Sequence, residues 1–179
     1  RPFELPENRG YCCLQPGAVF DSLESVPTVT GATADLTRYP ARRGYDDLVM
    51  LVSDPDLPFA WTAVTFPAER YVWFALKNPR ILHNTVLWIS NGGRHYPPWN
   101  SRHLNVMGLE EVTAYFHLGL ADSARQNPIS ARGLPTCLRL TVRKPLVVPY
   151  ITGVAAIPPG FDRVVAVQAA PGNRAIVLQ

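Results

Sequence analysis

"RYVWFALKNPRILHNTVLWISNGG", residues 70–93, is the stretch whose reading decides the fold class. Val72, Phe74 and Leu76 alternate with Tyr71, Trp73 and Ala75. That period of two is the one by which a strand sends neighbouring side chains to opposite faces. Asn78 and Pro79 stop the run, because proline has no N–H for a ladder. "NTVLWISNGG" (84–93) then resumes with β-branched and aromatic residues and closes on Gly92 and Gly93.

The same grammar extends in both directions. "GYDDLVMLVS" (44–53) and "FAWTAVTFP" (59–67) read as strands split by the turn "DPDLP". "RLTVRK" (139–144) alternates Leu140 and Val142 with Arg139, Thr141 and Arg143, and is expected as a strand. "DRVVAVQAAPGNRAIVLQ" (162–179) reads as a hairpin around "PGN". "LEEVTAYFHLGLADSARQ" (109–126) is the exception. Leu109, Val112, Phe116 and Leu120 approach helical spacing, so a strand end at Leu109–Val112 and a short helix within 114–126 are expected. Residues 21–43 show no periodicity and read as a long loop. Eighteen prolines, about twice ordinary usage, suit short strands and turns. The expectation is an all-β chain, an antiparallel β-sandwich or barrel, with residues 1–179 forming one domain.

Composition narrows the function classes. Hydrophobic residues make up 47% and charged residues 17%, a globular balance. A net charge of +3 with no long basic run implies no nucleic-acid partner. The longest apolar run, "PLVVPYITGVAAI", is broken by proline and glycine and falls short of the roughly 18 residues of a membrane span. Cys12, Cys13 and Cys137 show no metal spacing. Their odd number favours free thiols and a cytoplasmic setting over a disulfide framework. The chain opens on "RPFELPENRG" without Met, so a processed or truncated piece is expected.

Chemistry concentrates in "LWISNGGRHYPPWNSRHLNVMGLEEV" (87–112). A pyranose has apolar C–H faces that stack on aromatic rings and a rim of hydroxyls that suits amides and guanidinium forks. Trp88, Tyr96 and Trp99 could supply the faces, and Asn91, Arg94, Asn100 and Arg102 the forks. Glu110 or Glu111 could act as a general base. Plainer readings stand beside these: Trp88 as core, His95 and His103 as structural or surface groups, Gly92–Gly93 as a turn. Of Glu110 and Glu111, and of Asp46 and Asp47, only one each can face a given side of a strand. No nucleophile elbow, phosphate loop or metal motif is present. Asp46 or Asp47 with Glu110 could also form the carboxylate pair of a glycoside hydrolase.

The order "YDDLVML … LWISNGG … GLEEVTAYF" resembles the C-terminal half of the aldose 1-epimerase (galactose mutarotase-like) superfamily, loosely over residues 40–179. The resemblance implies an antiparallel β-supersandwich, here an incomplete domain, with a monosaccharide in an open cleft. It implies a sugar-contacting Asp46 at the head of a strand and Glu110 as catalytic base. Together with the residues above, it gives a site of Glu110, Asp46, Trp88, Asn91, Arg94, His95 and Trp99. It implies no cofactor and no metal, because mutarotation needs only a base on the anomeric hydroxyl and an acid on the ring oxygen. Two departures are visible. The family's acid is a His upstream of the Asp, whereas the first His here is His83; and Asp47 stands where the family has His. An upstream half-domain or second chain is therefore an expected partner. A noncatalytic sugar-binding module, or a hydrolase- or lyase-related β domain, is the alternative.

Overall fold

The structure, a computed structural model, describes residues 11–173 and 175–179. Its regular structure is mostly antiparallel β-sheet, with almost no helix. The strands are β1 (Val26–Pro27), β2 (Thr33–Ala34), β3 (Tyr45–Val52), β4 (Ala60–Phe66), β5 (Tyr71–Lys77), β6 (Asn84–Asn91), β7 (Val106–Val112), β8 (Tyr150–Ala156), β9 (Val167–Ala169) and β10 (Ile176–Leu178). One short helix, α1, covers Leu120–Ala124, inside the window its spacing suggested. The chain forms two compact units. One runs to Leu51 and includes Asn84–Cys137; the other comprises Val52–His83 and Leu138–Gln179.

The first unit is built on the sheet β3-β6-β7. The head of β3 meets the tail of β6, with Gly44 N–H donating to the Asn91 carbonyl at 2.7 Å. β6 and β7 pair antiparallel, in a register that sets Leu87 against Leu109, Ile89 against Met107 and Trp88 against Gly108. Alternation then sorts the side chains. Val49, Leu87 and Ile89 join Leu14, Val26 and Leu36 in one buried cluster, with Phe20, Leu23, Tyr39, Leu51, Met107 and Leu109 packed against it. Trp88, Ser90, Gly108 and Glu110 belong to the other face. Val26 and Leu36 sit in the segment, 21–43, that reads as loop. Two-residue strands leave no periodicity to detect, yet this segment supplies two of the six residues of the buried cluster. Tyr39 ties it to the sheet, its hydroxyl shared between the carbonyls of Ser90 (2.8 Å) and Val106 (2.9 Å).

The second unit carries the sheet β4-β5-β8 and the hairpin β9-β10. The strand expected at 139–144 is absent. Thr141 and Lys144 bridge across a tight turn, and Val142 at its tip is fully exposed. Alternation needs a buried face to become a strand, and here Leu140 (73% exposed) has none. The pairing strand is instead β8, inside the proline- and glycine-bearing apolar run. Gly153 admits the ring of Phe74, whose Cζ would stand 2.8 Å from any Cβ there. Ile151, Val154 and Val165 are exposed. No helix among the described residues is long and apolar enough to cross a membrane.

Candidate functional site

The outward face of β3-β6-β7 organises around Asp46. This residue is 5% exposed, and three donors converge on its carboxylate. Trp88 Nε1 donates to Oδ1 at 2.8 Å and Ser90 Oγ to Oδ2 at 2.6 Å. Arg94 Nε approaches Oδ1 at 3.4 Å. Burying a carboxylate costs several kcal/mol unless it is paired and hydrogen-bonded, and these donors supply that compensation. Asp47, one residue on, turns to the core face. Its Oδ1 accepts the main-chain N–H groups of Cys13 and Leu14, both at 3.0 Å. Burial pushes the Asp47 carboxyl above its ordinary range, against those two hydrogen bonds and the Arg42 charge, which pull it down.

Arg94 carries the cluster outward. Its guanidinium carbon lies 4.9 Å from the ring centroids of both Trp88 and Trp99, close enough for cation–π attraction to each. His103 stacks on Trp88 at 5.2 Å and tilts against Trp99 at 5.2 Å. Its Nδ1 lies 2.8 Å from Ser90 Oγ. Trp99 Nε1 is buried with no hydrogen-bond acceptor among the described residues.

The loop that presents these groups is held at its root. Gly92 has φ +85° and donates its N–H to the His103 carbonyl at 2.8 Å. A side chain at Gly93 would fall inside the main chain of Tyr45 and Asp46, so only glycine lets the loop lie against the head of β3. Asn91 is buried, and its amide serves that root. Nδ2 donates to the Ala41 carbonyl (2.8 Å) and Oδ1 accepts from Asn105 N–H (3.3 Å). Its amide is thus committed to loop architecture and not available as a hydroxyl fork. His95 is exposed, 2.6 Å from Ser101 Oγ through Nδ1 and 4.4 Å from the Tyr11 ring.

Glu110 is exposed on β7, on the same sheet face as Trp88. Gly108 lies between them. A Cβ at Gly108 would stand 3.2 Å from Trp88 Cε3 and 3.6 Å from Glu110 Oε1. The missing side chain thus lets the Trp88 indole pack closely on β7, with the Glu110 carboxylate at its edge. Glu111 belongs to the opposite face and accepts from Thr85 Oγ1 at 2.6 Å. The structure therefore gathers Asp46, Trp88, Arg94 and Trp99 into one cluster, sets Glu110 beside Trp88, and keeps Asn91 and His95 in loop-building roles.

Ser90 and Gly108 drew no notice from the sequence, although alternation from Trp88 places Ser90 on its face. His117 also belongs to this neighbourhood. Burial, and secondarily the positive charge of Arg94, lower its pKa and favour the neutral ring. Cys12, Cys13 and Cys137 are free thiols. Burial, followed by the charges of Asp47 and Asp46, pushes the Cys12 thiol up to about 11, so it is protonated near neutrality and is no nucleophile there. Among the described residues no group of three His, Cys, Asp or Glu side chains is placed to hold a metal ion.

The chain was compared with models of known protein families, with curated protein sequences and with solved structures, and no match was found in any of the three.

Proposed function

We propose that this chain is a carbohydrate-handling protein of aldose 1-epimerase type, built on a mutarotase-like β-sandwich, in which Glu110 is the general base. The observation that carries this reading is the placing of the Glu110 carboxylate beside the Trp88 indole across Gly108. An indole face with a reachable carboxylate at its edge is what a pyranose requires: apolar C–H groups against Trp88, and an anomeric hydroxyl against Glu110. Asp46 fixes the Trp88 ring through its N–H, so the platform is oriented before ligand arrives. Arg94, packed over Trp99 and still partly exposed, forms the neighbouring wall, where its guanidinium can meet polar ligand atoms. The outer edge of β8, the end strand of its sheet among the described residues, and the exposed side chains of Ile151 and Val154 are the surface on which a further β segment would complete the sandwich.

Polarimetry of freshly dissolved α-glucose or α-galactose tests the reading. Glu110→Gln should retain sugar binding by calorimetry, since shape and hydrogen-bonding capacity survive. It should lose about 10²–10⁴-fold of the interconversion rate, the usual contribution of a general base. An unchanged rate in Glu110→Gln removes the catalytic role. Sugar binding by the wild type with no rate above buffer makes the chain a binding module that uses the same residues.

A further inference from the structure

Residues 138–148, "LRLTVRKPLVV", belong to the second unit, away from the residues gathered around Asp46. Every one of them is exposed. The alternation that forms no strand here therefore presents both of its residue classes to solvent. Leu140 and the fully exposed Val142 stand at the turn, and Leu138, Leu146, Val148 and Val147, the last at 72%, flank it. Single apolar side chains are ordinary on a surface, whereas six large aliphatic ones within eleven residues are the mark of a contact region.

Charge is segregated in the same segment. It carries Arg139, Arg143 and Lys144, and no Asp or Glu occurs from Leu138 to Phe161. Among the described residues none of these three cations has an ion-pair or side-chain hydrogen-bond partner. The main chain is partly satisfied from within, because Thr141 and Lys144 bridge across the turn. Pro145 and Pro149 bring no N–H at all. Such a tip carries fewer unmet donors toward an apolar medium.

Three kinds of partner divide on this chemistry. A second copy would set three cations against three. Single-stranded nucleic acid offers phosphates, but its bases stack on aromatic rings, and residues 138–148 contain none. An anionic bilayer offers both complements, acidic headgroups for the cations and acyl chains for the aliphatics.

We propose that residues 138–148 are a membrane-surface anchor, in which Leu140 and Val142 enter the headgroup–acyl boundary of an anionic bilayer while Arg139, Arg143 and Lys144 hold its headgroups. The long Arg and Lys stems let the charges stay at headgroup level beside the inserted aliphatics. The loop lies on the membrane, since irregular main chain is not tolerated deeper in the hydrocarbon. This contact does not depend on the carbohydrate reading, whose residues belong to the first unit.

Sedimentation of the whole chain with lipid vesicles tests the anchor. The wild type should pellet with equal parts phosphatidylserine and phosphatidylcholine, stay in the supernatant with phosphatidylcholine alone, and be released as salt rises. Each cation at an anionic surface contributes roughly fivefold in affinity, so Arg139→Gln/Arg143→Gln/Lys144→Gln should bind about 100-fold more weakly. Leu140→Ser/Val142→Ser keeps all three cations and should still lose about tenfold or more, because the apolar contact is gone. All five side chains are exposed, so both variants should melt with the wild type. A wild type that stays in the supernatant with both vesicles overturns the proposal. Undiminished pelleting of Leu140→Ser/Val142→Ser overturns the insertion and leaves a contact that any polyanion could make. Binding to single-stranded RNA in place of vesicles overturns it in favour of nucleic acid. A dimer in sedimentation velocity that Leu140→Ser/Val142→Ser abolishes, with no pelleting on vesicles, overturns it in favour of a second copy.

Discussion

The two faces of β3-β6-β7 bury neighbouring carboxylates in opposite ways. On the outward face Asp46 collects an indole, a hydroxyl and a guanidinium, all side chains, from β6 and the loop that follows it. On the core face Asp47 receives only main-chain N–H groups, at Cys13 and Leu14, and its Oδ2 is buried without a partner among the described residues. The first carboxylate orders side chains that stand at a surface. The second anchors the entering chain to the core and leaves nothing free to act. A buried charge builds a site only when its partners can themselves touch a ligand.

Asp46→Ala should break this contrast most severely. It strands the Trp88 indole N–H, leaves the fully buried Ser90 hydroxyl with His103 alone, and unpairs Arg94, which is 22% exposed. The expected loss is on the order of 3 kcal/mol, short of the figure for a wholly buried ion pair because Arg94 retains solvent. Urea denaturation gives the value. A loss below about 1 kcal/mol would mean that the outward network is not a structural unit.

Asp47 sharpens the contrast through pH. Its folded pKa is raised above the unfolded value of 3.8, chiefly by burial, so the folded state holds the proton more tightly. The associated stability is present below that unfolded value and is lost as pH rises through the raised folded one. Asp47→Asn keeps an acceptor for Cys13 and Leu14 and removes the charge. The urea midpoint of this variant should therefore lack the decline that the wild type shows upward from pH 3.8. At neutral pH the variant should be at least as stable as the wild type. A parallel pH profile in the two proteins would assign the decline elsewhere.

The smallest effect is expected at the rim. Glu110 is exposed and its strand neighbour Glu111 holds the hydrogen bond to Thr85, so Glu110→Gln should leave stability within about 0.5 kcal/mol. That variant then tests the proposed catalytic role apart from folding. A larger loss in thermal unfolding would place Glu110 in the scaffold.

Much of this arrangement is legible in the chain itself. Alternation in "YDDLVML" and "GLEEV" requires Asp46 and Asp47, like Glu110 and Glu111, to part to opposite faces. Gly92–Gly93 marks a tight passage, and only the folded chain shows that Gly93 is pressed on Tyr45 and Asp46. The same rule misleads at 139–144, where alternation without a buried face yields a turn and the strand forms at Tyr150–Ala156 instead. The loop at 21–43 hides core residues because its strands, at two residues each, are shorter than any period.

The sequence by itself determined the β character and which residues of one strand share a face, because both follow from the local geometry of the extended chain. Only the tertiary structure decided which faces meet. β3 pairs with β6, across an excursion in which β4 and β5 pair with each other. That register brings Asp46 to Trp88 and Ser90, sets Gly108 under Trp88, and spends the Asn91 amide on Ala41 and Asn105. The partners of Asp46 lie 42 to 48 positions away along the chain. Contacts that distant form only once long loops have closed and apolar burial has offset their entropy, so no local pattern could announce them.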